Sequence, residues 1–225
     1  TKYNLLELSG PQSESFASLV CGNVANEIEA NTFKIMHTEN ILFFLIKLPC
    51  ERGKNKFWFL ADFENSKRLI VYMKEYKGVY NFNMIGEEAH NIFRIEQGIP
   101  IAPNEINDDY NPLEAGLIDL IDFKKGCYIG QEVIARLDTY DKVQKKLVGV
   151  KLSDQVESNN GQFILEENGI EVGNVTSSYF SPKLNSNIGL AYIRNSHSAP
   201  GTQFTLKLPE NRIIKAEVHH LPFVK

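Results

Sequence analysis

The sequence predicts an α+β fold, in which a mixed strand and helix domain precedes a small C-terminal antiparallel β-barrel. Two observations support this fold class. Up to about residue 145, strand-like runs of β-branched and aromatic residues alternate with helical patterns, as in an α+β layer. Beyond residue 145, six short strand-like runs follow one another with turn signals between them, as in a small barrel or sandwich. We therefore expect two domains, residues 1–145 and residues 146–225.

The first domain begins with strand and helix patterns in alternation. Its strands are predicted from runs of β-branched, aromatic and leucine residues at Leu5–Leu8, Thr32–His37, Ile41–Leu48 and Asn55–Leu60. A short helix is expected to follow Pro11 and to run to about Cys21, because proline is favoured at a first helical position. Asp62 is placed to cap a helix that runs to about Tyr76.

A third helix and a loop-to-helix segment complete the first domain. Gly86 opens the third helix, and Gly98 and Pro100 end it, as helix terminators do. The residues expected to face inward are Ala89, Ile92 and Phe93. After an acidic, turn-rich segment at residues 104–112, residues 126–137 are predicted to form a loop and a helix. The apolar stripe of that helix consists of Ile129, Val133, Ile134 and Leu137.

The second domain is predicted to consist of strands. The strand-like runs are Leu147–Leu152, Gln162–Leu165, Glu171–Tyr179, Ile188–Ile193, Phe204–Leu208 and Ile213–Val218. Each run is short, and glycine, asparagine and proline mark the turns between several of them. This pattern is the basis for the predicted C-terminal barrel.

Composition and net charge limit the kinds of molecule that this protein is expected to bind. The net charge of −4 lacks the basic surplus that is typical of nucleic-acid binders. The longest apolar run, Ile41 to Ile46, is far shorter than the roughly 20 residues of a membrane-spanning helix. Cys21, Cys50 and Cys127 are widely spaced and odd in number, and they form no Cys-x-x-Cys pair. We therefore expect a cytoplasmic protein in a reducing compartment, with no metal site built from paired cysteines and with no nucleic acid or membrane as a partner.

Cys127 is the first candidate for chemistry. It lies between Gly126 and Gly130, just before the predicted helix, and it follows two lysines. Glycines let the backbone approach a ligand closely, while a helix N-terminus and nearby lysines favour the thiolate. These features indicate a reactive or metal-binding thiol. The alternative is a buried structural cysteine, because free cysteine is among the most buried residue types.

Glu96 is the second candidate. It follows Ile92 and Phe93 at helical spacing and is therefore expected on their apolar face. It also lies in the last helical turn, where the helix dipole favours Arg94 and disfavours a carboxylate. A carboxylate can accept two parallel hydrogen bonds from an amino group and a ring N–H, which is the edge that a pterin presents. The alternative is a boundary glutamate that reaches water or pairs with an arginine.

The third candidate is the group Gln131, Glu132 and Arg136, which follows the glycine-flanked cysteine. Gln131 lies beside the glycine loop, where a side chain can reach a ligand. Glu132 and Arg136 are four residues apart on the predicted helix. For this pair, the alternative is a surface ion pair that stabilises the helix by roughly 0.2–0.5 kcal/mol.

These residues carry a resemblance to a known family. Residues 125–132, Lys-Gly-Cys-Tyr-Ile-Gly-Gln-Glu, are similar to the signature of the YgfZ-type folate-binding proteins. That branch of the glycine-cleavage T-protein superfamily is separated by this motif from the true T-proteins, which lack it. Residues 94–100 are similar to the family's Arg-hydrophobic-Glu-x-Gly-hydrophobic-Pro element, and residues 111–117 resemble the turn that follows it. Residues 173–178, 181–182 and 188–192 are similar to the superfamily's C-terminal barrel.

The resemblance implies a tetrahydrofolate-binding accessory protein that assists the assembly or repair of iron–sulfur enzymes, including tRNA-modifying ones. It implies that Glu96 is the pterin-facing carboxylate and that Cys127 is the family cysteine, the candidate catalytic residue. Its motif neighbours, expected to bind the cofactor, are Lys125, Gly126, Tyr128, Gly130, Gln131, Glu132 and Arg136. The alternatives are an aminomethyltransferase-like enzyme of one-carbon transfer and a non-catalytic protein-binding module.

The chain departs from the family at its N-terminal end. Family members usually carry a whole domain before the segment that Tyr3 to Gly10 resembles, and from this resemblance we expect that domain to be missing here. The resemblance implies that this domain supplies part of the folate cavity and, in T-proteins, the catalytic aspartate. We therefore expect that the chain is a fragment, that its cavity is open, or that a second chain completes it.

Overall fold

A computed structural model of the chain describes residues 2–49, 55–139, 143–156, 163–167, 169–208 and 212–224. The chain divides into two compact units, Thr1–Met84 and Ile85–Lys225. The barrel begins at Lys145, where the sequence analysis places its domain boundary. That boundary stays a prediction, since the second compact unit contains the barrel together with the segment that precedes it.

Within residues 2–49 and 55–84, four strands form one antiparallel sheet in the order β1-β4-β3-β2. The strands are β1 (Tyr3–Leu8), β2 (Thr32–Thr38), β3 (Ile41–Lys47) and β4 (Phe57–Asp62). The helices of this unit are α1 (Ser13–Cys21), α2 (Val24–Glu27) and α3 (Phe63–Tyr76). Alternate residues of β3 and β4, among them Phe43 and Phe59, are buried in one core with Phe16 and Leu69 of the helices. The predicted strands and helices of this region are therefore confirmed.

The predicted cap of α3 is also confirmed. Asp62 has an extended backbone, and its carboxylate accepts the backbone N–H of Asn65 at 2.8 Å. The side-chain amide of Asn65 donates to the same carboxylate, also at 2.8 Å. These hydrogen bonds hold the pKa of Asp62 below its ordinary value. The cap satisfies one of the N–H groups that the first turn of a helix leaves unpaired.

The second unit contains α4 (Glu87–Gln97), a short 3₁₀ turn at Ile118–Leu120 and α5 (Gln131–Thr139) before the barrel. The strands are β5 (Lys145–Leu152), β6 (Phe163–Glu167), β7 (Ile170–Ser181), β8 (Ser186–Arg194), β9 (Gln203–Lys207) and β10 (Ile213–His219). These six strands, traced over the described residues, close in the order β10-β5-β8-β7-β6-β9, and all their pairings are antiparallel. The predicted α+β class with a C-terminal antiparallel barrel is therefore confirmed. Gln162, which was predicted to open the second strand, lies outside the described residues.

The predicted inward face of α4 is wrong. Ala89 is exposed and Phe93 is 38% exposed, whereas Arg94, Ile95 and Glu96 are buried. The helix packs against β7 and β8, and these strands offer hydrogen-bonding side chains as well as apolar ones. A pattern of apolar residues finds the buried face only where the neighbouring surface is apolar.

The apolar stripe predicted for α5 is likewise not buried. Ile129 and Val133 are exposed, and Ile134 and Leu137 are half-buried. No residue of α5, all of which the structure describes, is classed as buried. The helical periodicity of residues 126–137 therefore predicted the helix correctly but not its packing.

Of the helices that the structure describes, none combines the length and the apolar character needed to cross a membrane.

We predict that Leu69→Ala lowers the free energy of unfolding by about 2–5 kcal/mol, because Leu69 is 0% exposed and its truncation leaves a cavity in the core. Urea denaturation measures the change. Leu5→Ala is the matched control, since Leu5 is 51% exposed and its loss is expected to cost less than about 1 kcal/mol. Equal effects of the two variants would contradict the assigned core.

Candidate functional site

The backbone around Glu96 is held in place at the end of α4. Gly98 ends the helix with a left-handed φ of 72°, and Ile99 N–H donates to the carbonyl of Arg94 at 2.7 Å. A Cβ atom at Gly98 would lie 2.9 Å from the Cβ of Leu221, so glycine is required both by φ and by close packing. The N–H of Phe223 donates to the carbonyl of Glu96 at 2.9 Å. The C-terminal segment therefore packs directly against this helix end.

The side chain of Glu96 is 8% exposed and points at the barrel wall. Its Oε1 accepts a hydrogen bond from Ser181 Oγ, the last residue of β7, at 2.6 Å. Its Oε2 accepts no hydrogen bond from any residue that the structure describes. An ionised carboxylate has about four acceptor positions, so most of the acceptor capacity of Glu96 is unused.

Arg94 does not pair with Glu96, although it lies two residues away. Its Nη1 lies 3.0 Å from Glu105 Oε2, and the two side chains are 2% and 0% exposed. Its Nη2 donates to Ser177 Oγ at 2.8 Å, and its Nε donates to Asn91 Oδ1 at 2.7 Å. Burial lowers the pKa of Arg94, while the charge of Glu105 opposes that shift. The guanidinium remains charged because arginine is not deprotonated in proteins.

Glu105 is the best-satisfied carboxylate of this region. Its Oε1 accepts the hydroxyls of Thr176 and Ser177, each at 2.6 Å, and its Oε2 accepts the N–H of Ile101 at 3.1 Å. Its backbone carbonyl accepts the hydroxyl of Tyr192 at 2.8 Å. A carboxylate with this many donors is fixed in one orientation.

A β-bulge explains how Thr176 and Ser177 reach the same oxygen. Neighbouring residues of a regular strand point to opposite faces of the sheet. The register of β7 against β8 shifts between Val175 and Ser177, so Thr176 is the extra residue. A bulge turns the side chains next to it, which here lets both hydroxyls donate to Glu105.

A second polar cluster lies beside this network. The rings of Tyr110 and Tyr192 stack with centroids 3.5 Å apart, and Tyr110 donates to Asn174 Oδ1 at 2.8 Å. Burial raises the pKa of both tyrosines. The segment 104–112 is therefore tied to β7 and β8 by side chains, although it was predicted as an acidic, turn-rich loop.

Hydrogen bonds from backbone N–H groups to the side chain of Asp122 shape the start of the cysteine motif. Asp122 Oδ1 accepts the N–H groups of Lys124 at 2.8 Å and Lys125 at 3.1 Å. The Nζ atom of Lys125 lies 4.6 Å from the ring centroid of Tyr128. Cys127 is exposed, so the alternative of a buried structural cysteine is wrong. Its chemical role stays a prediction.

The turn into α5 places the rest of the motif. Gly130 has a φ of +90°, and Gln131 N–H donates to the carbonyl of Tyr128 at 3.2 Å. The hydroxyl of Tyr128 is buried without a hydrogen-bond partner among the described residues. Within the same set of residues, Glu132 and Arg136 form no ion pair, so the alternative of a surface ion pair is wrong. Gly126, Glu132 and Arg136 are exposed, and Gln131 is half-buried.

Among the described residues, no hydrogen bond or ion pair joins Glu96 to the other predicted part of the site, the segment 125–136. The sequence assigned no role to Glu105, or to Ser177 and Ser181 beyond their place in the barrel resemblance, yet these residues hold the helix that carries Glu96. The available signal was the run of hydroxyl residues at 176–178 within a predicted strand. The described residues contain no group of three or more His, Cys, Asp or Glu that could hold a metal ion.

Sequence comparison finds known proteins and a domain family that are similar to this chain. Residues 145–225 match the family described as the glycine cleavage T-protein C-terminal barrel domain. The chain is 31% identical over 224 residues to an aminomethyltransferase of Symbiobacterium thermophilum, a match that covers 98% of this chain and 59% of that protein. It is 34% identical over 139 residues to an aminomethyltransferase of Halothermothrix orenii, over 62% of this chain and 38% of that protein.

A solved structure shows the same fold. The crystal structure of glycine cleavage system aminomethyltransferase T from Bartonella henselae superposes with a TM-score of 0.71 at 22% sequence identity, over 100% of this chain and 60% of that one. The chain thus spans well under two thirds of the relatives that it matches. The barrel match and these homologues support the T-protein superfamily.

We predict that Glu105→Ala lowers the free energy of unfolding by about 3–5 kcal/mol, because it leaves Arg94 buried without its counter-charge. Asp154→Ala is the control, since it breaks an exposed 2.6 Å pair with Arg212 and is expected to change stability little. Guanidinium denaturation of both variants measures the difference. A cost for Glu105→Ala no greater than that of the control would show that the buried pair does not hold the helix.

Proposed function

We propose that this protein is a YgfZ-type, tetrahydrofolate-binding accessory protein that assists the assembly or repair of iron–sulfur enzymes. The folate proposal rests on the unused hydrogen-bonding capacity of the Glu96 carboxylate. Its carboxylate is almost buried, yet only one of its two oxygens accepts a hydrogen bond from a described residue. Among the described residues, Oε2 is not one of the fully buried atoms that lack a partner, so it is accessible, and a ligand with N–H donors fits this position. Superfamily membership supports a folate as that ligand.

The chemistry of a pterin edge suits Glu96. An amino group and a neighbouring ring N–H present two parallel donors, and a carboxylate accepts such a pair with both oxygens. Oε2 of Glu96 and the remaining lone pair of Oε1 are available for this purpose, because Ser181 uses one position only. Charge-assisted hydrogen bonds of this kind are about twice as strong as neutral ones.

The cysteine motif supplies the other proposed contacts to the cofactor. The unpartnered buried hydroxyl of Tyr128 supports this assignment, because such a group usually has a partner. Gly126 and Gly130 leave room for a ligand to approach the backbone, since no atom lies within 4 Å of a Cβ placed there. The other proposed motif contacts are Lys125, Gln131, Glu132 and Arg136.

Cys127 is the residue proposed to act on iron–sulfur clients. Its exposure allows contact with a partner protein. The chain has 3 cysteines in all, fewer than the four thiolates of a standard cluster, so Cys127 is assigned transient contact with a cluster or redox chemistry instead of stable ligation. In this proposal the partners are cytoplasmic iron–sulfur assembly or client proteins, including tRNA-modifying enzymes, and nucleic acid is not bound directly.

A second candidate function is one-carbon transfer. It is favoured by the name aminomethyltransferase that the matched relatives carry. An assay for aminomethyl transfer to tetrahydrofolate separates the two functions, since an accessory protein binds the folate without turning it over. Measurable turnover that depends on Glu96 would favour the transferase.

We predict that Glu96→Gln weakens the binding of tetrahydrofolate at least about tenfold, because a neutral amide loses charge-assisted hydrogen bonds. Isothermal titration of the full-length protein measures the affinity. Glu88→Gln is the matched control, since Glu88 is an exposed residue of the same helix. Binding unchanged by Glu96→Gln, or no folate binding by the unmodified protein, would contradict the proposal.

We predict that Cys127→Ala impairs the activity of iron–sulfur enzymes in cells while the thermal midpoint of the protein stays unchanged, because Cys127 is exposed and its side chain supports no packing. Complementation of a deletion strain, read out by an iron–sulfur-dependent tRNA modification, measures the effect. Cys127→Ser tests whether the sulfur itself is needed. Full complementation by Cys127→Ala would rule out a role for the thiol.

A further inference from the structure

Ser181 lies where β7 ends, and its hydroxyl has two partners. The side chain is 0% exposed. Its Oγ accepts the N–H of Leu184 at 3.1 Å, and it lies 2.6 Å from Glu96 Oε1. The backbone N–H can only donate, and an ionised carboxylate can only accept. The hydroxyl proton of Ser181 is therefore directed at Glu96.

Glu96 is consequently held through both its backbone and its side chain. Its backbone carbonyl accepts the N–H of Phe223, while its side chain is held by Ser181. Two residues before Glu96, Arg94 donates to Ser177, which lies four residues before Ser181 on the same strand. Two parallel attachments thus join the last turn of α4 to β7. This arrangement leaves the Glu96 carboxylate little freedom to rotate.

We infer that Ser181 is a positioning residue, which presets the orientation of the Glu96 carboxylate for the paired N–H donors of a folate's pterin edge. This inference rests on the proposed folate-binding function. A free glutamate side chain loses rotamer freedom when it binds a ligand, and a carboxylate oriented beforehand avoids that cost. Ser181 makes no proposed contact with the folate, so its effect acts through Glu96 alone.

The test is a double-mutant cycle on tetrahydrofolate affinity in the full-length protein. The variants are Ser181→Ala, Glu96→Gln and the double variant Ser181→Ala/Glu96→Gln. Ser178→Ala is the matched control, because Ser178 is a buried residue of the same strand whose hydroxyl donates to the carbonyl of Val156 instead. Thermal melting checks each variant for folding, and Ser181→Cys, which keeps the side-chain volume, replaces Ser181→Ala if that variant does not fold.

We expect Ser181→Ala to weaken folate binding about five- to tenfold, Ser178→Ala to leave it unchanged, and the double variant to bind no more weakly than Glu96→Gln. A loss that persists undiminished in the Glu96→Gln background would overturn the inference, since a general structural effect does not depend on Glu96. Unchanged affinity of Ser181→Ala beside a clear effect of Glu96→Gln would refute positioning and leave the folate site standing. If Glu96→Gln has no effect, the proposed function fails and this inference fails with it.

Discussion

The buried ion pair between Arg94 and Glu105 is the interaction on which the second unit depends. Removing two charges from water costs several kcal/mol per ion, and mutual attraction repays that cost only with good geometry and further hydrogen bonds. Here the hydroxyls of Thr176 and Ser177 and the N–H of Ile101 complete the carboxylate. The pair thereby joins the end of α4, the following loop and strand β7. Removing either residue leaves the charge of the other buried without a counter-charge.

Glu96 lies in the same last turn of α4 as Arg94, and its side chain reaches Ser181 of β7 while Arg94 reaches Glu105. Gly98 then reverses the chain where Leu221 leaves no room for a side chain. A carboxylate with unused acceptor capacity and one whose capacity is filled are therefore both held against β7. The first carboxylate suits a ligand, and the second suits a structural role.

The cysteine motif is organised differently. Its shape comes from short-range hydrogen bonds, such as those from the N–H groups of Lys124 and Lys125 to Asp122. The apolar side chains around it remain exposed, with Ile129 and Val133 the clearest cases. Local order with little burial is typical of segments that bind a ligand or partner. The exposed thiol of Cys127 is consistent with that character.

The sequence by itself determined the fold class, the barrel, the cap at Asp62 and the ends of α4, because each leaves a local pattern of strand, turn or capping residues. It also identified Glu96 and Cys127 as candidates. Only the tertiary structure decided which side of α4 is buried, since the partners of Arg94 lie 11 and 83 residues away along the chain. The bulge at Thr176, which no residue pattern marked, decided that two neighbouring hydroxyls meet one carboxylate. Long-range polar pairing has no period in the sequence, and for this reason the roles of Glu105 and Ser181 emerged only from the folded chain.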